Sequence, residues 1–174
     1  AWSAPSPLAE SPGGFGSGLD EGGAETRVAF SPDGRAAVVA NGERGREASL
    51  WFVELENGRV LDQRPIAELD EPGDELSPWF DGRTLWFASD RGGGSGGLDL
   101  WRAELDGARF GPAEPLRELN SAQDDLDPTV NGGEIVFVSD RDGNLDLYSA
   151  FEAGGSAARI DELCGPFAER EPAF

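Results

Sequence analysis

The strongest constraint on the fold is an internal repeat with a period of about 44 to 50 residues. Ser-Asp-Arg at 89–91 recurs fifty positions later, at 139–141. Upstream, residues 65–80 align without gaps on residues 115–130, at the same offset. Self-similarity at a fixed period of this length is typical of solenoids, propellers and arrays, in which each unit buries its core against its neighbours.

Each period contains strand and turn signals and no helical periodicity. Residues 84–89 are apolar and aromatic and follow a turn at 81–83. Residues 98–105 alternate between apolar and polar, as a half-buried strand does. Residues 109–116 contain prolines and suit an edge strand, and a short strand near 126–130 opens the next unit. Four strands per unit of about 45 residues predict a β-propeller blade.

We therefore predict an all-β fold, a β-propeller of four-stranded antiparallel blades, for one domain of residues 1–174. The repeats define about three full blades, at residues 24–69, 74–119 and 124–163. Residues 1–10 are expected to form an outer strand of a preceding blade, and residues 168–174 the inner strand of a following one. Because propellers close with about four to eight blades, we expect a partial or open propeller. Its open edges should be covered by missing blades or by a second copy of the chain.

The charge of the chain excludes some partners. Its 174 residues include 34 acidic and 14 basic side chains, which give a formal net charge of −20. Nucleic-acid phosphates and anionic membrane surfaces should repel it, so we predict no nucleic-acid partner. No apolar run approaches the ~20 residues that span a bilayer, which argues against membrane insertion. The single cysteine, Cys164, cannot form an internal disulfide or a cysteine-based zinc site, and we predict no cofactor.

Acidic side chains recur at one position of the repeat, just before the first strand of each blade. In a propeller this position lies on one face near the central channel, so we predict an acidic ring there. The candidate binding residues are Asp74, Glu75, Asp124, Asp125, Asp127 and Glu169. Two interpretations are open. The ring binds a cation, a basic peptide or a sugar, or its carboxylates are merely solvated loops.

No catalytic residue is predicted. Residues 93–97 match the letters of a nucleophile elbow, G-x-S-x-G, with Ser95 at the centre. That motif needs a following helix and a histidine base, and the chain has no histidine. Ser95 is therefore expected at a flexible glycine-rich hairpin tip, and Cys164 as an ordinary loop or core thiol. Glycoside hydrolysis would need two carboxyl groups at a defined separation, which the sequence does not place.

Residues 139–148 look like a cation-binding loop because acids or amides occupy alternate positions. An EF-hand-type loop needs glycine at its sixth position and glutamate at its twelfth. Counted from Asp140, these positions hold Leu145 and Phe151. The sibling segment at 89–101 keeps only two acids. We therefore predict a hairpin between two strands rather than a metal site.

These repeats resemble the WD40-like PD40 repeats of TolB-type β-propellers. The family pattern combines Ser-Pro-Asp-Gly-Arg, an apolar strand, Ser-Asp-Arg-x-Gly and Asp-apolar-aromatic. Residues 30–35 carry the first part, and residues 89–91 with 99–101, and 139–143 with 146–148, carry the second. The first unit departs from the pattern where Ser-Asp-Arg is expected. WD40 repeats proper are not matched, because they use a histidine and this chain has none.

The resemblance implies a non-catalytic module that binds or scaffolds, in the periplasm or outside the cell. It carries no catalytic residue to this chain, and it names no particular protein or small-molecule partner. Two alternatives remain. One is a regulatory propeller domain of a larger hydrolase, such as a serine peptidase. The other is a glycosidase-like or lactonase-like propeller that uses channel carboxylates.

Overall fold

The computed structural model describes residues 27–152 and 154–164. Within these ranges the regular structure is β-strand, and no helix is long and apolar enough to cross a membrane. The strands form three antiparallel sheets, in each of which the chain runs up and down between neighbours. The predicted strands at 1–10 and 168–174, and the candidate residue Glu169, lie outside the described residues.

Each sheet is one blade. The first blade, in the order β1-β2-β3-β4, comprises β1 (Arg27–Phe30), β2 (Ala36–Asn41), β3 (Ser49–Glu56) and β4 (Arg59–Pro65). The second comprises β5 (Glu75–Phe80), β6 (Thr84–Ser89), β7 (Asp99–Asp106), β8 (Arg109–Phe110) and β9 (Glu114–Pro115). The third comprises β10 (Asp125–Asn131), β11 (Glu134–Ser139), β12 (Asp146–Phe151) and β13 (Ala158–Arg159). The predicted all-β fold of antiparallel blades is confirmed.

The outer edge of the second blade differs from the prediction of one edge strand over 109–116. The structure has two short strands instead, β8 and β9, and both pair with β7. Pro112 lies between them and has no N–H to donate, so a continuous ladder cannot form there. Gly111 just before it donates its N–H to the carbonyl of Glu104 at 2.8 Å, which keeps the interrupted edge attached to the sheet.

The second strand of the middle blade, β6, is apolar along most of its length because the other two blades cover its two faces. In β6, Leu85 and Phe87 pack toward the first blade, while Trp86 packs toward the third. All three side chains are buried. Burying a side chain of this size contributes about 1.5–3 kcal/mol of hydrophobic free energy. An isolated sheet would expose these residues, so stacking of the blades stabilises each sheet.

Two hydrophobic cores join the three blades. Between the first and second blades, Phe52, Phe80 and Phe110 meet edge to face, with ring centroids 5.9 to 6.1 Å apart. Between the second and third, Trp86 and Leu100 share a core with Phe137 and Tyr148 of the third blade, whose rings stack on each other with centroids 5.9 Å apart. Aromatic pairs at such distances add about 0.5–1.5 kcal/mol beyond their buried area. Apolar packing therefore holds neighbouring blades together.

The first strands of the blades are adjacent, because β5 contacts both β1 and β10. Two of them carry a bulge. The pairing of β5 with β6 slips between Leu76 and Trp79, and that of β10 with β11 slips between Leu126 and Thr129. A bulge inserts an unpaired residue and changes the direction of its side chain, and bulges are common next to functional sites.

Ser77 and Asp127 occupy these two bulges with left-handed backbones, at φ values of 51° and 52°. Residues other than glycine rarely adopt this conformation, and it costs on the order of 1–3 kcal/mol. Each residue precedes a proline, Pro78 or Pro128, which has no N–H to offer the ladder. The same local sequence therefore produces the same bulge in both blades.

The acidic segment 139–148 is a hairpin, as the sequence predicts. Ser139 at the end of β11 pairs with Asp146 at the start of β12. Across the turn, Gly143 donates its N–H to the carbonyl of Asp140 at 2.8 Å. Asp142 accepts a 2.6 Å hydrogen bond from the hydroxyl of Tyr148 on β12. The alternating acids belong to a turn and to the strand that follows it.

Candidate binding site at the inner strands

Asp74 and Asp124 tie neighbouring blades together by accepting backbone N–H groups. Oδ1 of Asp74 accepts from the N–H of Ala48 at 2.9 Å, and its Oδ2 accepts from the N–H of Gly45. Oδ1 of Asp124 accepts from the N–H of Leu98, also at 2.9 Å. Each carboxylate therefore anchors the hairpin between the second and third strands of one blade to the first strand of the next.

The Ser-Asp-Arg motif has a structural role at each of its positions. In the second blade, Asp90 accepts the N–H of Asp74 at 2.7 Å. The hydroxyl of Ser89 accepts from Nε of Arg91 at 3.1 Å, and Nη2 of that arginine donates to the carbonyl of Leu69 at 2.6 Å. The third blade repeats all three hydrogen bonds fifty residues later. The motif thus closes the second and third blades onto the segments that enter them.

Glu75 and Asp125 are paired with the arginines of the two motifs. The ion pair of Glu75 with Arg91 measures 2.9 Å, and that of Asp125 with Arg141 measures 2.6 Å. Both carboxylates are almost completely buried. Burial raises the pKa of Glu75 to about 7, and this effect outweighs the opposing charge of Arg91. Neither carboxylate faces a space that a substrate could enter.

The arginines are also held by aromatic rings. The guanidinium of Arg91 lies 4.9 Å from the ring centroid of Phe87 and 5.4 Å from that of Trp101. Arg141 has the same relationship to the corresponding rings of the third blade. Cation–π contacts of buried arginines contribute about 1–2 kcal/mol each. These side chains therefore pack with the aromatic core of their blades, Arg91 almost completely buried and Arg141 20% exposed.

Asp127 has a different environment from the other acids. Its Oδ1 accepts a 2.6 Å hydrogen bond from the hydroxyl of Ser77 and lies 3.1 Å from Nη1 of Arg27. The side chain is 3% exposed, and its Oδ2 has no hydrogen-bond partner among the described residues. A buried carboxylate oxygen without a donor costs free energy, so it needs an explanation.

Arg27, Ser77 and Asp127 occupy equivalent positions of the three blades, at intervals of fifty residues. They line a cavity of about 340 Å³ where the first strands of all three blades meet. The remaining lining is contributed by Ala40, Gly42, Glu43, Arg44, Leu76, Leu98 and Leu126. A cavity with mostly apolar walls and a few convergent polar groups is the usual form of a small-ligand site.

Arg44 lies at the rim of this cavity and bridges the first and third blades. Its Nη2 donates to Oδ2 of Asp124 at 2.6 Å, while the other carboxylate oxygen holds the second blade through Leu98. The side chain of Arg44 is 56% exposed, whereas that of Asp124 is 19% exposed. Asp124 thus connects all three blades beside the cavity.

Of the predicted binding residues that the structure describes, only Asp127 lines this cavity. Asp74, Glu75 and Asp125 are buried in hydrogen bonds and ion pairs, so they are not the solvated loops of the second interpretation. Asp124 is half-buried beside the rim. A binding role for these residues stays a prediction, and the geometry favours Asp127.

The glycine-rich loop at 93–97 is packed against the next blade, not a free tip. A Cβ on Gly96 would overlap the backbone of Ala122, and one on Gly94 would overlap Oδ2 of Asp99. That oxygen accepts the N–H groups of Ser95 and Gly96 at 2.7 and 3.2 Å. Burial raises the pKa of Asp99. The glycines are needed for close approach, and the chain has no histidine to act as the base for Ser95.

The remaining candidates for chemistry have structural partners. Cys164 is partly buried, and its Sγ accepts the N–H of Leu147 at 3.3 Å. Within 27–152 and 154–164, no group of three or more His, Cys, Asp or Glu side chains is placed to hold a metal ion. This part of the chain therefore offers neither an activated thiol nor a clustered ligand set.

Reasoning from the sequence missed Arg27 and Ser77 as site residues. The alignment of repeats could have found them, since positions 27, 77 and 127 coincide at an offset of fifty. It also missed the pairing of Glu75 with Arg91. A signal existed there too, because an acid precedes an arginine by sixteen positions in both the second and third units.

The comparisons with known proteins bear on the fold. No protein-family model and no curated protein matches the sequence. Among solved structures, a putative TolB from Agrobacterium tumefaciens is 22% identical with a TM-score of 0.55, covering 78% of this chain and 48% of that one. TolB from Acinetobacter baumannii is 17% identical with a TM-score of 0.54, covering 76% and 31%.

The chain has the fold of a TolB-like β-propeller. The same arrangement of strands occurs in a puromycin-hydrolysing peptidase from Mycobacterium tuberculosis, which is 17% identical with a TM-score of 0.56. That match covers 77% of this chain but 21% of the peptidase. The TolB-like chain described here thus spans less than half the length of each of these three structures.

Proposed function

We propose that this chain is a non-catalytic binding or scaffolding module of TolB type, and that it acts through the cavity at its inner strands. The module would mediate a protein or ligand interaction in the cell envelope or outside the cell, as its resemblance to TolB-type repeats implies. The observation that carries the proposal is the convergence of Arg27, Ser77 and Asp127 from three blades on one cavity. The three equivalent positions of the repeat carry a guanidinium, a hydroxyl and a carboxylate, so the cavity presents three chemically different polar groups to a ligand.

The glycosidase-like or lactonase-like alternative is less well supported. Such chemistry needs two carboxyl groups that flank a substrate, one of them free to give a proton and the other to attack or to activate water. Glu75 and Asp125 are buried against arginines, and Asp74 holds two backbone N–H groups. Within the described part of the chain, Asp127 is the one candidate carboxylate that lines the cavity. We therefore expect no turnover of sugar or lactone panels.

A regulatory propeller domain of a larger peptidase is the second candidate function. It is favoured by the likeness of this chain to the propeller part of a peptidase structure. The complete reading frame distinguishes the two candidates. A nucleophile elbow with an aspartate and a histidine outside these 174 residues would favour the peptidase, and a peptidoglycan-binding or lipoprotein module would favour the TolB-type role.

The proposed use of the cavity is tested by site-specific cross-linking. A photo-reactive amino acid at Glu43, which lines the cavity, should capture the bound partner or ligand from an envelope extract as a covalent adduct that mass spectrometry detects. The same group at Asp106, an exposed residue of the turn between β7 and β8, is the matched control and should capture none. Equal capture from both positions, or capture from Asp106 alone, would contradict the proposal.

A further inference from the structure

We propose that the cavity at the inner strands binds a zwitterionic ligand with an aliphatic side chain, of the kind that a free aliphatic α-amino acid represents. The inference rests on the proposed function and names the class of ligand for the same cavity. It is carried by four features of the described residues: an unpartnered buried oxygen, two guanidinium groups, leucine walls and strained backbone.

The first feature is Oδ2 of Asp127. This oxygen is buried, belongs to a residue that lines the cavity, and has no hydrogen-bond donor among the described residues. The other oxygen already holds Ser77 and Arg27. An ammonium group carries three donors and makes charge-assisted hydrogen bonds about twice as strong as neutral ones. A ligand ammonium directed at Oδ2 would satisfy this acceptor.

The second feature excludes a simple cation. Arg27 and Arg44 both line the cavity, and ion pairs join them to Asp127 and Asp124, while Glu43 at the same cavity is paired with Arg46. Adding one positive charge to such a balanced site would bring it close to two guanidinium groups. A ligand that also carries a carboxylate avoids this repulsion, because a guanidinium offers the planar donor pair that a carboxylate accepts. Arg44 is the more accessible of the two, at 56% exposed.

The third feature is the apolar wall. Ala40, Leu76, Leu98 and Leu126 line the same cavity, and none of the described residues that line it carries an aromatic ring on which a sugar could stack. An aliphatic side chain would bury its surface there at about 25 cal/mol per Å². The volume of about 340 Å³ lies at the small end of ligand sites, as a ligand of amino-acid size requires.

The fourth feature is the backbone of Ser77 and Asp127. Both residues hold left-handed conformations at bulges, and their side chains meet at the cavity. Strain of this kind persists where the surrounding structure enforces it, and it clusters at ligand sites. In β1, which pairs with β2 without a bulge, the equivalent residue is Arg27. A regular strand thus places Arg27 at the cavity, whereas bulges place Ser77 and Asp127 there.

The test is a titration of the isotope-labelled 174-residue chain, followed by backbone amide NMR shifts. Leucine carries both charges, leucinamide lacks the carboxylate and N-acetylleucine lacks the ammonium. We expect leucine to shift the amides of Ser77, Leu98 and Asp127 saturably below about 20 mM, as millimolar affinity requires. Each blocked analogue should bind about tenfold more weakly or worse, because each loses a charge-assisted interaction.

Two variants connect these shifts to the proposed contacts. Asp127→Asn should weaken leucine binding about tenfold or more, while Asp106→Asn, in an exposed turn, should leave it unchanged. Arg44→Gln alters an exposed side chain, so it should fold normally, and it should bind leucine and leucinamide equally. If Asp127→Asn does not fold, the comparison of leucine and leucinamide binding to Arg44→Gln still tests the proposal.

The proposal is overturned if leucine leaves the cavity amides unshifted up to about 20 mM. It is also overturned if all three compounds shift these amides equally. Either result, combined with cross-linking from Glu43 that still depends on Asp127, would mean that the cavity binds another class of ligand. The proposed function would then stand while the ligand class fails.

Discussion

The hydroxyl of Ser77 donates a 2.6 Å hydrogen bond to Oδ1 of Asp127, and the two residues occupy the same repeat position of neighbouring blades. This contact joins two inner strands across a blade boundary. It therefore contributes to the packing of the blades and also fixes the orientation of the carboxylate that lines the cavity.

Replacing Ser77 with alanine should destabilise the chain by about 1–2 kcal/mol, because a buried carboxylate oxygen loses a hydrogen-bond donor. Urea unfolding at neutral pH measures the change. Ser95→Ala, at an exposed serine, is the control and should stay within about 0.5 kcal/mol of the parent. Equal effects of the two substitutions would show that the inter-blade hydrogen bond contributes no stability.

Arg91→Ala should cost about 3–5 kcal/mol, since it leaves the carboxylate of Glu75 buried without its cation. Arg141→Ala makes the same change at the equivalent position and should cost less. The reason is that Arg141 is 20% exposed and Arg91 only 2%, so water can reach the site once the side chain is removed. Denaturant unfolding of both variants gives the comparison, and an equal or reversed order would contradict it.

Glu75 should make stability depend on pH near neutrality. Its folded-state pKa of about 7 lies above the ordinary value of 4.5 because the carboxyl is buried. Between these two values the unfolded chain releases the proton while the folded chain keeps it. The unfolded state then binds fewer protons, so stability falls as pH rises through this window.

Glu75→Gln removes the titrating group and keeps the shape of the side chain. The stability of the parent relative to this variant should therefore fall by about 3 kcal/mol between pH 4 and pH 8. Thermal unfolding of both proteins across this range measures the difference. If the stability of the parent relative to Glu75→Gln rises with pH instead, the charge of Arg91 stabilises the ionised carboxyl group more than burial destabilises it.

Gly96→Ala should destabilise the chain by about 1–3 kcal/mol, because the added methyl group overlaps the backbone of Ala122 in the next blade. The matched control is Gly92→Ala in the same hairpin, where nothing lies within 4 Å of the added atom. That substitution should be neutral or slightly stabilising. Thermal unfolding separates the two cases, and a mobile hairpin tip would tolerate both equally.

The fold was predictable because it depends on local sequence patterns, and the repeat shows these patterns in more than one unit. Apolar strands, Asp-Gly turns and the fifty-residue offset each predict a blade, and β6 and the hairpin at 139–146 lie where the sequence indicates. The broken edge at β8 and β9 was not predicted, since it depends on where Pro112 falls along the ladder.

The site was less predictable because its contacts are distant in sequence. Asp127 was identified through its charge, but Ser77 lies fifty residues away and Arg27 a hundred. Arg44 meets Asp124 across eighty residues and two blade boundaries. Composition also does not show which carboxylates become buried in ion pairs and hydrogen bonds when the blades pack together. Glu75 and Asp125 look like Asp127 in the sequence, but only Asp127 lines the cavity.

The most direct test of the account is the effect of Asp127→Asn on partner capture by the photo-reactive group at Glu43. The account predicts that capture falls about tenfold or more, while Asp106→Asn leaves it intact and circular dichroism shows both variants folded. Undiminished capture by a folded Asp127→Asn chain would contradict the claim that the inner-strand cavity is the binding site.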